Sequence, residues 1–171
     1  MKINVVLVEP EIPQNTGNIA RTCAATDSKL HLVHPLGFDI SEKQVKRAGL
    51  DYWDKVDIEE HASLEAFLEK YPPFKNNMYF LTTKGHKVYS EVDFSKFENV
   101  FILFGKETKG LPEQLLLDNL DNAIRIPMKK DLRSLNLSNS VAIVVYELLR
   151  QANFNDLVET SVYLDEKYEL T

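Results

Sequence analysis

A polar loop leads directly into an apolar helix at Arg133-Ser134-Leu135-Asn136-Leu137-Ser138-Asn139-Ser140-Val141-Ala142-Ile143-Val144-Val145. Serine and asparagine favour turns and helix N-caps because their side chains form hydrogen bonds with nearby backbone groups. Simple capping explains part of this pattern, but one cap needs only one such residue. The run has four polar candidates: Ser134, Asn136, Ser138 and Asn139. This excess favours a loop that contacts a ligand.

Strand-like and helix-like segments alternate along the rest of the chain. Strands are predicted at residues 3–8, 30–33, 78–82, 100–104 and 124–127, which are apolar runs rich in β-branched and aromatic residues. Helices are predicted from about residue 18, at 41–48, 64–71 and 112–119, and over the apolar segment after residue 140. This order predicts an α/β fold on a parallel sheet. We expect one domain, residues 1–153, and a C-terminal tail, residues 154–171, without a domain of its own.

Composition narrows the class of protein. A chain of 171 residues that is 44% hydrophobic can bury one substantial core. Its apolar runs are far shorter than the roughly 20 residues that cross a bilayer, and its N-terminus lacks a signal-peptide layout. We therefore expect a cytoplasmic protein that does not bind membranes. The single Cys23 excludes an internal disulfide, and the four histidines have no metal-ligand spacing, so we expect no metal site.

The charge distribution leaves two interpretations open. A net charge of −6 argues mildly against nucleic acid as a partner, because phosphate binding usually relies on a basic surface. The basic residues are clustered, however, which fits either a local basic face or ordinary solvated surface charge. The clusters are Lys43, Lys46 and Arg47; Lys84 and Lys87; and Lys129, Lys130 and Arg133.

Three loops are expected to meet at one edge of the sheet. Ligands of open parallel sheets bind beyond the carboxyl ends of the strands, and the candidate loops here are residues 82–85, 105–110 and those after 126. None carries a dinucleotide or P-loop phosphate motif, and no Ser-His-acid arrangement stands out. The loops therefore predict a nucleotide-like ligand other than ATP or a dinucleotide.

A further group of polar residues follows the first strand. Asn15, Asn18 and Arg21 are spaced to lie near one another at the start of a helix. Two amides and an arginine suit a phosphate or a developing oxyanion, because arginine keeps its charge and donates a planar fork of hydrogen bonds. Helix capping by an asparagine beside a solvated Arg21 explains the same pattern equally well.

Together these segments resemble the SPOUT class of RNA methyltransferases, and in particular the small members that methylate the 2′-oxygen of wobble nucleotide 34 in tRNA, a cytidine or a modified uridine. The resemblance runs in family order from near residue 1 to about 150. The matching segments are Glu9-Pro10-Glu11-Ile12-Pro13-Gln14-Asn15-Thr16-Gly17-Asn18-Ile19-Ala20-Arg21, Arg47-Ala48-Gly49-Leu50-Asp51-Tyr52, Leu81-Thr82-Thr83-Lys84-Gly85, Phe104-Gly105-Lys106-Glu107-Thr108-Lys109-Gly110-Leu111-Pro112, Arg125-Ile126-Pro127-Met128 and Arg133-Ser134-Leu135-Asn136-Leu137-Ser138-Asn139.

The resemblance implies a parallel-sheet α/β knot, with a trefoil knot near the C-terminus that is a rare exception to the rule against knots. It also implies S-adenosylmethionine as cofactor and a homodimer with the active site at its interface, to which Arg21 could contribute from the partner subunit. The implied cofactor-binding residues are Leu81, Thr82, Gly105, Ile126, Met128, Ser134 and Leu135. The implied catalytic residues are Arg21, Asn15, Glu107 and Asn136.

The family proposal makes the arginine at the Arg21 position the general base. Arginine holds its proton very strongly and is a poor base, so our alternative is that Arg21 fixes a phosphate and stabilises the emerging oxyanion. We expect the path of the tRNA anticodon stem-loop to be lined by Lys43, Lys46, Arg47, Lys129, Lys130 and Arg133, with Tyr52 or Trp53 available for base stacking. The competing hypotheses are a 2′-O-methyltransferase of another RNA, such as rRNA, and a non-catalytic knotted RNA-binding dimer.

Overall fold

The computed structural model describes residues 1–39, 53–73, 77–161, 163 and 167. The predicted helix at 41–48 lies outside these residues. So do Lys43, Lys46 and Arg47 of the predicted RNA path, and Tyr52.

One parallel sheet organises the described part of the chain. From edge to edge its strands follow the order β3-β2-β1-β6-β4-β7-β5, and each neighbouring pair is parallel. In the central pair, Lys2 of β1 lies opposite Asn99 of β6, and Leu7 lies opposite Phe104. Because parallel strands end at the same edge, the loops that follow them are brought together there. The strands are β1 (Lys2–Val8), β2 (Lys29–Val33), β3 (Ile58–His61), β4 (Asn77–Leu81), β5 (Lys87–Val88), β6 (Asn99–Phe104) and β7 (Ala123–Arg125).

Helices cover both faces of the sheet, so alternate side chains of the central strands enter two separate cores. Val5 of β1 belongs to the core beneath α1 and α4, whereas Val6 belongs to the core beneath α2 and α3. This burial on both sides explains why β1 and β6 are almost continuously apolar. The helices are α1 (Pro13–Ala25), α2 (Leu64–Lys70), α3 (Glu113–Leu117) and α4 (Leu137–Gln151).

The starts of the helices follow local sequence signals. Ser63 caps α2, and its hydroxyl accepts the Ala66 N–H at 3.2 Å. Pro112 immediately precedes α3, where its fixed φ suits the entry to a helix. Asn136 caps α4, and its side-chain oxygen accepts from the backbone of Ser138 and Asn139.

Two sequence predictions about secondary structure were incomplete or wrong. Helix α1 begins at Pro13 and not near residue 18, because proline is favourable in a first helical turn and Asn15, Thr16 and Gly17 are buried rather than forming an exposed turn. Strands β3 and β5, which form the two edges of the sheet, were not predicted. Strand β5 has only two residues, and β3 contains Glu59 and Glu60, a residue type that is depleted in strands.

The first residues beyond α4 still contact the core, since Phe154 and Leu157 pack against it. The domain boundary after residue 153 stays a prediction. Within the described ranges, no helix combines the length and the apolar character needed to span a bilayer.

Candidate functional site

A cavity of about 590 Å³ lies at the carboxyl edge of the sheet. Most of its wall comes from the three loops that follow β4, β6 and β7, and the turn before α1 completes it. This volume is within the range of roughly 300–1,000 Å³ that small-molecule sites occupy. The predicted meeting of the three loops is confirmed.

All seven residues predicted to hold a cofactor contribute to the wall of this cavity. Apolar side chains face residues with hydrogen-bonding groups, a combination that suits a flat heterocycle with a polar edge. The seven residues are Leu81, Thr82, Gly105, Ile126, Met128, Ser134 and Leu135.

Two glycines, one in the loop after β4 and one in the loop after β6, let backbone segments pack directly against each other. A Cβ atom on Gly105 would lie 2.0 Å from the carbonyl carbon of Gly110 and 2.1 Å from the nitrogen of Leu111. A Cβ atom on Gly85 would lie 2.7 Å from the carbonyl carbon of Ile124. Neither position has room for a side chain, so glycine is required for the close approach.

A network of side chains connects the walls of the cavity. The Asn15 amide donates to Glu107 Oε1 at 2.9 Å, and Asn15 Oδ1 accepts from the Asn136 amide at 2.9 Å. Asn136 Oδ1 in turn accepts the backbone N–H groups of Ser138 at 2.9 Å and Asn139 at 3.4 Å. Three of the four predicted catalytic residues therefore lie in one network that joins the starts of α1 and α4.

Two of these residues, Glu107 and Asn136, also accept backbone N–H groups at the starts of helices. Glu107 also accepts the backbone N–H of Glu11 at 2.8 Å and of Ile12 at 3.3 Å, which places its negative charge at the amino end of α1. Asn136 is the N-cap of α4, so the simple capping interpretation is correct for this residue. The same Asn136 side chain also reaches Asn15 and lines the cavity.

Arg21, the fourth predicted catalytic residue, lies apart from this network. It is exposed on α1 in a stripe with Gln14, Asn18 and Ala25. Arg21 is not among the described residues that line the cavity. The structure therefore does not bring Arg21 to the cavity of its own chain.

The predicted RNA-binding residues are only partly visible. Lys129, Lys130 and Arg133 are exposed between β7 and α4, and Arg133 also contributes to the cavity wall. Trp53 is half-buried against the core, which limits its availability for base stacking.

Sequence analysis gave no role to several residues of the cavity wall. Lys106 and Lys109 come from the loop after β6, and Lys106 forms an ion pair with Glu9. Leu116 and Ser140 reach the wall from α3 and α4. The loop lysines could have been found from their position after a strand, but no local signal marks Leu116 or Ser140.

A second polar cluster is buried on the α2 face, away from the cavity. His31 Nδ1 lies 3.0 Å from His61 Nε2, and His31 Nε2 lies 3.1 Å from Asn4 Oδ1. The Asn4 amide nitrogen donates to Asn99 and Val100, so Asn4 Oδ1 is left to accept from His31 Nε2–H. His31 Nδ1 must then accept a hydrogen bond from His61.

The ring geometry agrees with this assignment. The ring centroids of His31 and His61 are 5.3 Å apart, and the ring planes are inclined by 20°. This centroid separation equals the 3.0 Å between the two nitrogens plus the distance from each centroid to its own nitrogen, so both centroids and both nitrogens lie nearly on one line. The two nitrogens therefore point directly at each other, as in a linear hydrogen bond, whereas two ligands of one metal ion point toward a third position. The nearby Glu59 accepts hydrogen bonds from Lys29 and Lys70, and its Oε1 also lies 3.4 Å from His61 Nε2. This cluster is a neutral histidine pair in the core.

The histidine pair is expected to make stability depend on pH. Burial lowers the pKa of His31 to about 4 and also lowers the pKa of His61. Because unfolded histidine titrates near a pKa of about 6.5, the unfolded chain binds more protons between these values. Stability should therefore be complete above about pH 6.5 and fall toward pH 4, with His31 alone contributing on the order of 3 kcal/mol to the loss.

Urea unfolding at intervals from pH 7.5 to 4.5 measures this dependence. His31→Gln keeps a donor and an acceptor at the site but does not titrate, so its stability should change less with pH than that of the wild type. His86→Gln, at an exposed position, serves as the control. Equal pH dependence in His31→Gln and the wild type would contradict the assignment.

The sheet and its cavity define the class of this protein. It is an α/β protein with a parallel sheet and a cavity of small-molecule size between backbone loops at the carboxyl edge of the strands, the position where open parallel sheets bind ligands. Over residues 2–146 the sequence matches the SpoU rRNA Methylase family, and the chain belongs to this family. Membership implies the trefoil knot that the resemblance predicted.

Curated relatives match nearly the whole chain. A protein of Listeria innocua, named as a candidate tRNA (cytidine(34)-2′-O)-methyltransferase, is 51% identical over 95% of this chain and 96% of its own length. The tRNA (cytidine(34)-2′-O)-methyltransferase of Saccharophagus degradans is 46% identical over 88% of this chain and 96% of its own.

Solved structures agree with the fold. One that concerns the 2-OH methylation of C/U34 on tRNA is 43% identical, has a TM-score of 0.83 and covers 90% of this chain and 98% of its own. The AdoMet-bound rRNA methyltransferase of Sinorhizobium meliloti is 26% identical with a TM-score of 0.76, and the match covers 87% of this chain but only 56% of that one.

Proposed function

We propose that this chain is an S-adenosylmethionine-dependent methyltransferase that modifies the ribose 2′-oxygen of cytidine 34 in tRNA. The observation that carries the proposal is the near full-length identity of about half with relatives named for this reaction. A modified uridine at position 34 is a second acceptor in this proposal, because the relative of known structure at 43% identity concerns C/U34. A tRNA substrate also supports the predicted cytoplasmic location.

The cavity suits S-adenosylmethionine. Leu81, Ile126 and Leu135 offer apolar surface for the adenine ring, and the surrounding loops offer backbone groups for its polar edge. The direct backbone packing at Gly105 keeps the cavity wall free of a side chain at that point. In our proposal Thr82, Met128 and Ser134 complete the cofactor site, whose bound cofactor supplies an electrophilic methyl group.

The chain's own residues have to orient the acceptor ribose. Methyl transfer requires an in-line approach of the 2′-oxygen, so positioning contributes much of the rate enhancement. In our proposal the network of Glu107, Asn15 and Asn136 keeps the wall beside the acceptor rigid. The Arg21 guanidinium holds the neighbouring phosphate and stabilises the developing oxyanion, while a phosphate oxygen or water takes the proton of the 2′-hydroxyl.

A homodimer brings Arg21 to the site. Helices α1 and α4 pack against each other, and each presents an exposed stripe of residues with helical spacing. On α4 this stripe includes Ile143, 37% exposed, and Tyr146, 49% exposed. We propose that this joint face pairs with the same face of a second copy, as in most symmetric dimers, so that Arg21 completes the cavity of the partner.

The proposed RNA path begins at the mouth of the cavity. Lys129, Lys130 and Arg133 are exposed on the segment that leads into α4. In our proposal these three residues give an acidic protein a local basic surface for the anticodon stem-loop; Lys43, Lys46 and Arg47 of the predicted path lie outside the described residues. Phosphate contacts of this kind fix the position of the RNA.

The rRNA alternative is less well supported. The rRNA methyltransferase of known structure is 26% identical, and this chain matches only 56% of it, whereas the tRNA relatives match along almost their whole length. A non-catalytic binder would be expected to have lost parts of the cavity, yet Gly105, Ser134 and Asn136 all lie in its wall.

The test of the proposed function is a nucleoside analysis. The purified protein is incubated with S-adenosylmethionine and an unmodified tRNA carrying C34, and the tRNA is then digested and mapped by mass spectrometry. A 2′-O-methylcytidine at position 34 is expected, and a tRNA with 2′-deoxycytidine at that position serves as the control. Binding of S-adenosylmethionine without methylation of any 34-position nucleotide would refute the proposed function.

Charge reversal on the RNA path is expected to weaken tRNA binding. Lys129→Glu with Lys130→Glu removes up to two phosphate contacts, so the slope of log K against log salt should become shallower by about 1 to 2. The cofactor affinity should stay unchanged. Lys96→Glu, at an exposed position near the opposite edge of the sheet, is the matched control. An unchanged salt slope in the double variant would remove these two lysines from the path.

A further inference from the structure

Helix α1 has no capping side chain of its own. Its N-cap is Ile12, which offers no side-chain hydrogen bond, and Pro10 in the preceding turn and Pro13 at the first helical position have no N–H to donate. Glu9 in the same turn has a φ of 50°, a conformation that is costly for a residue with a side chain. Local sequence therefore does not determine how α1 leaves the sheet.

Two glutamates, one in each of two loops, fix the start of α1, because each accepts hydrogen bonds from the other's loop. Glu107, after β6, accepts the N–H groups of Glu11 and Ile12 at 2.8 and 3.3 Å. Glu11, after β1, accepts the backbone N–H of Thr108 at 3.0 Å and the Thr108 hydroxyl at 2.8 Å. We call Glu11, Glu107 and Thr108 the crossed clamp. Each loop thus supplies the acceptor for donors of the other.

The loop after β2 also holds the turn that precedes α1. The Gly37 N–H donates to the Pro10 carbonyl at 2.9 Å, and a Cβ atom on Gly37 would lie 2.7 Å from Glu11 Cα. The turn is therefore enclosed between the loop after β2 and the loop after β6. The hydrogen bonds of Thr108 lower the pKa of Glu11, so its carboxylate remains charged at neutral pH.

We infer that Glu11 is a positioning residue for methyl transfer, because its bonds to Thr108 set the direction of α1 relative to the cavity. This inference rests on the proposed function. Asn15 and Arg21 are both carried by α1, Asn15 in the wall of its own cavity and Arg21 on the exposed stripe. A small rotation of α1 at its amino end therefore displaces both residues, while the cofactor-binding loops after β4 and β7 stay in place.

If Glu11 is a positioning residue, its loss should lower kcat and leave the affinity for S-adenosylmethionine nearly unchanged, whereas a merely structural role would change both together. Glu11→Ala should lower kcat by about 10- to 100-fold, because misplaced groups lose the in-line geometry. The dissociation constant of S-adenosylmethionine should change by less than about threefold, because none of the seven proposed cofactor-binding residues lies on α1 or in the turn before it. Hydrogen exchange at the amides of Glu11 and Ile12 should accelerate.

A conservative substitution of Glu11 should restore most of the rate. Glu11→Gln keeps an oxygen that can accept the Thr108 N–H, and it should recover most of the kcat that Glu11→Ala loses. Thr108→Val removes the hydroxyl and should lower kcat less than Glu11→Ala. Combining it with Glu11→Ala should add little further loss, since both changes break the same contact. Glu98→Ala, an exposed carboxylate at the other end of β6, is the matched control.

The measurements use the full chain, C34-containing tRNA and S-adenosylmethionine, together with melting temperatures of all variants. A wild-type kcat in Glu11→Ala would overturn the inference, and so would a loss of cofactor affinity equal to the loss of kcat. A wild-type protein that leaves nucleotide 34 unmodified refutes the proposed function instead, so the two failures are distinguishable.

Discussion

Gly105→Ala is expected to abolish S-adenosylmethionine binding, with the dissociation constant rising at least about 100-fold, equivalent to roughly 2.7 kcal/mol. The added Cβ atom would lie 2.0 Å from the carbonyl carbon of Gly110 and 2.1 Å from the nitrogen of Leu111. Both neighbours are backbone atoms, so no side chain can rotate away to make room. The loop after β6 has to move as a unit, and it forms a large part of the cavity wall.

The same loop supplies a matched control. Gly110 has a φ of +72° but no atom within 4 Å of an added Cβ, so Gly110→Ala costs only the conformational strain of about 1–2 kcal/mol. Calorimetric titration with S-adenosylmethionine should therefore give a measurable affinity for Gly110→Ala and none for Gly105→Ala, while circular dichroism confirms that both fold. Wild-type affinity in Gly105→Ala would mean that the loop can open at little cost.

Arg21→Ala is expected to lower kcat by roughly 10²- to 10³-fold, the magnitude typical of removing a donor that stabilises developing charge. Cofactor affinity should be retained, because Arg21 is not among the described residues of its own cavity wall. Arg21→Lys should restore only part of the rate if the planar guanidinium fork is needed. A lysine variant with nearly full rate would count against that need.

Mixing two inactive variants tests where Arg21 acts. If each site combines the cavity of one subunit with Arg21 of the other, a mixed dimer of Arg21→Ala and Gly105→Ala contains one intact site. Random exchange of subunits should then recover about a quarter of the wild-type rate per subunit. No recovery after demonstrated exchange would place Arg21 in the site of its own chain, and a monomer in solution would refute the proposed dimer.

The sequence predicted the sheet and the meeting of the three loops because both follow from local patterns. Apolar runs identified β1 and β6, and the rule that ligands bind beyond the carboxyl ends of strands then brought residues 82–85 and 105–110 together. Residue roles came instead from the family resemblance, as for Gly105. Pattern alone could not reveal that its neighbours are backbone atoms of the same loop.

The features that the sequence did not reveal depend on distant contacts. Strand β3 carries two glutamates, and it is recognisable as a strand only because β2 pairs with it. The resemblance predicted a catalytic role for Glu107, which stays a prediction, but not that its oxygens accept hydrogen bonds from Glu11 and Asn15, more than ninety residues earlier in the chain. No local pattern encodes such a pairing. The same holds for the tautomer of His31, which is determined by the orientation of Asn4.

The position of β1 beside β6 has a consequence for biosynthesis. Strand β1 pairs on one side with β2, but its other side stays unpaired until residues 99–104 of β6 have been synthesised. At a translation rate of about 5–20 residues per second, roughly 5–20 seconds pass before the partner leaves the ribosome. During that interval the nascent chain exposes an apolar strand edge, which is a template for aggregation. Lower growth temperatures and chaperone co-expression should therefore raise the yield of native protein more than substitutions on its exposed surface do.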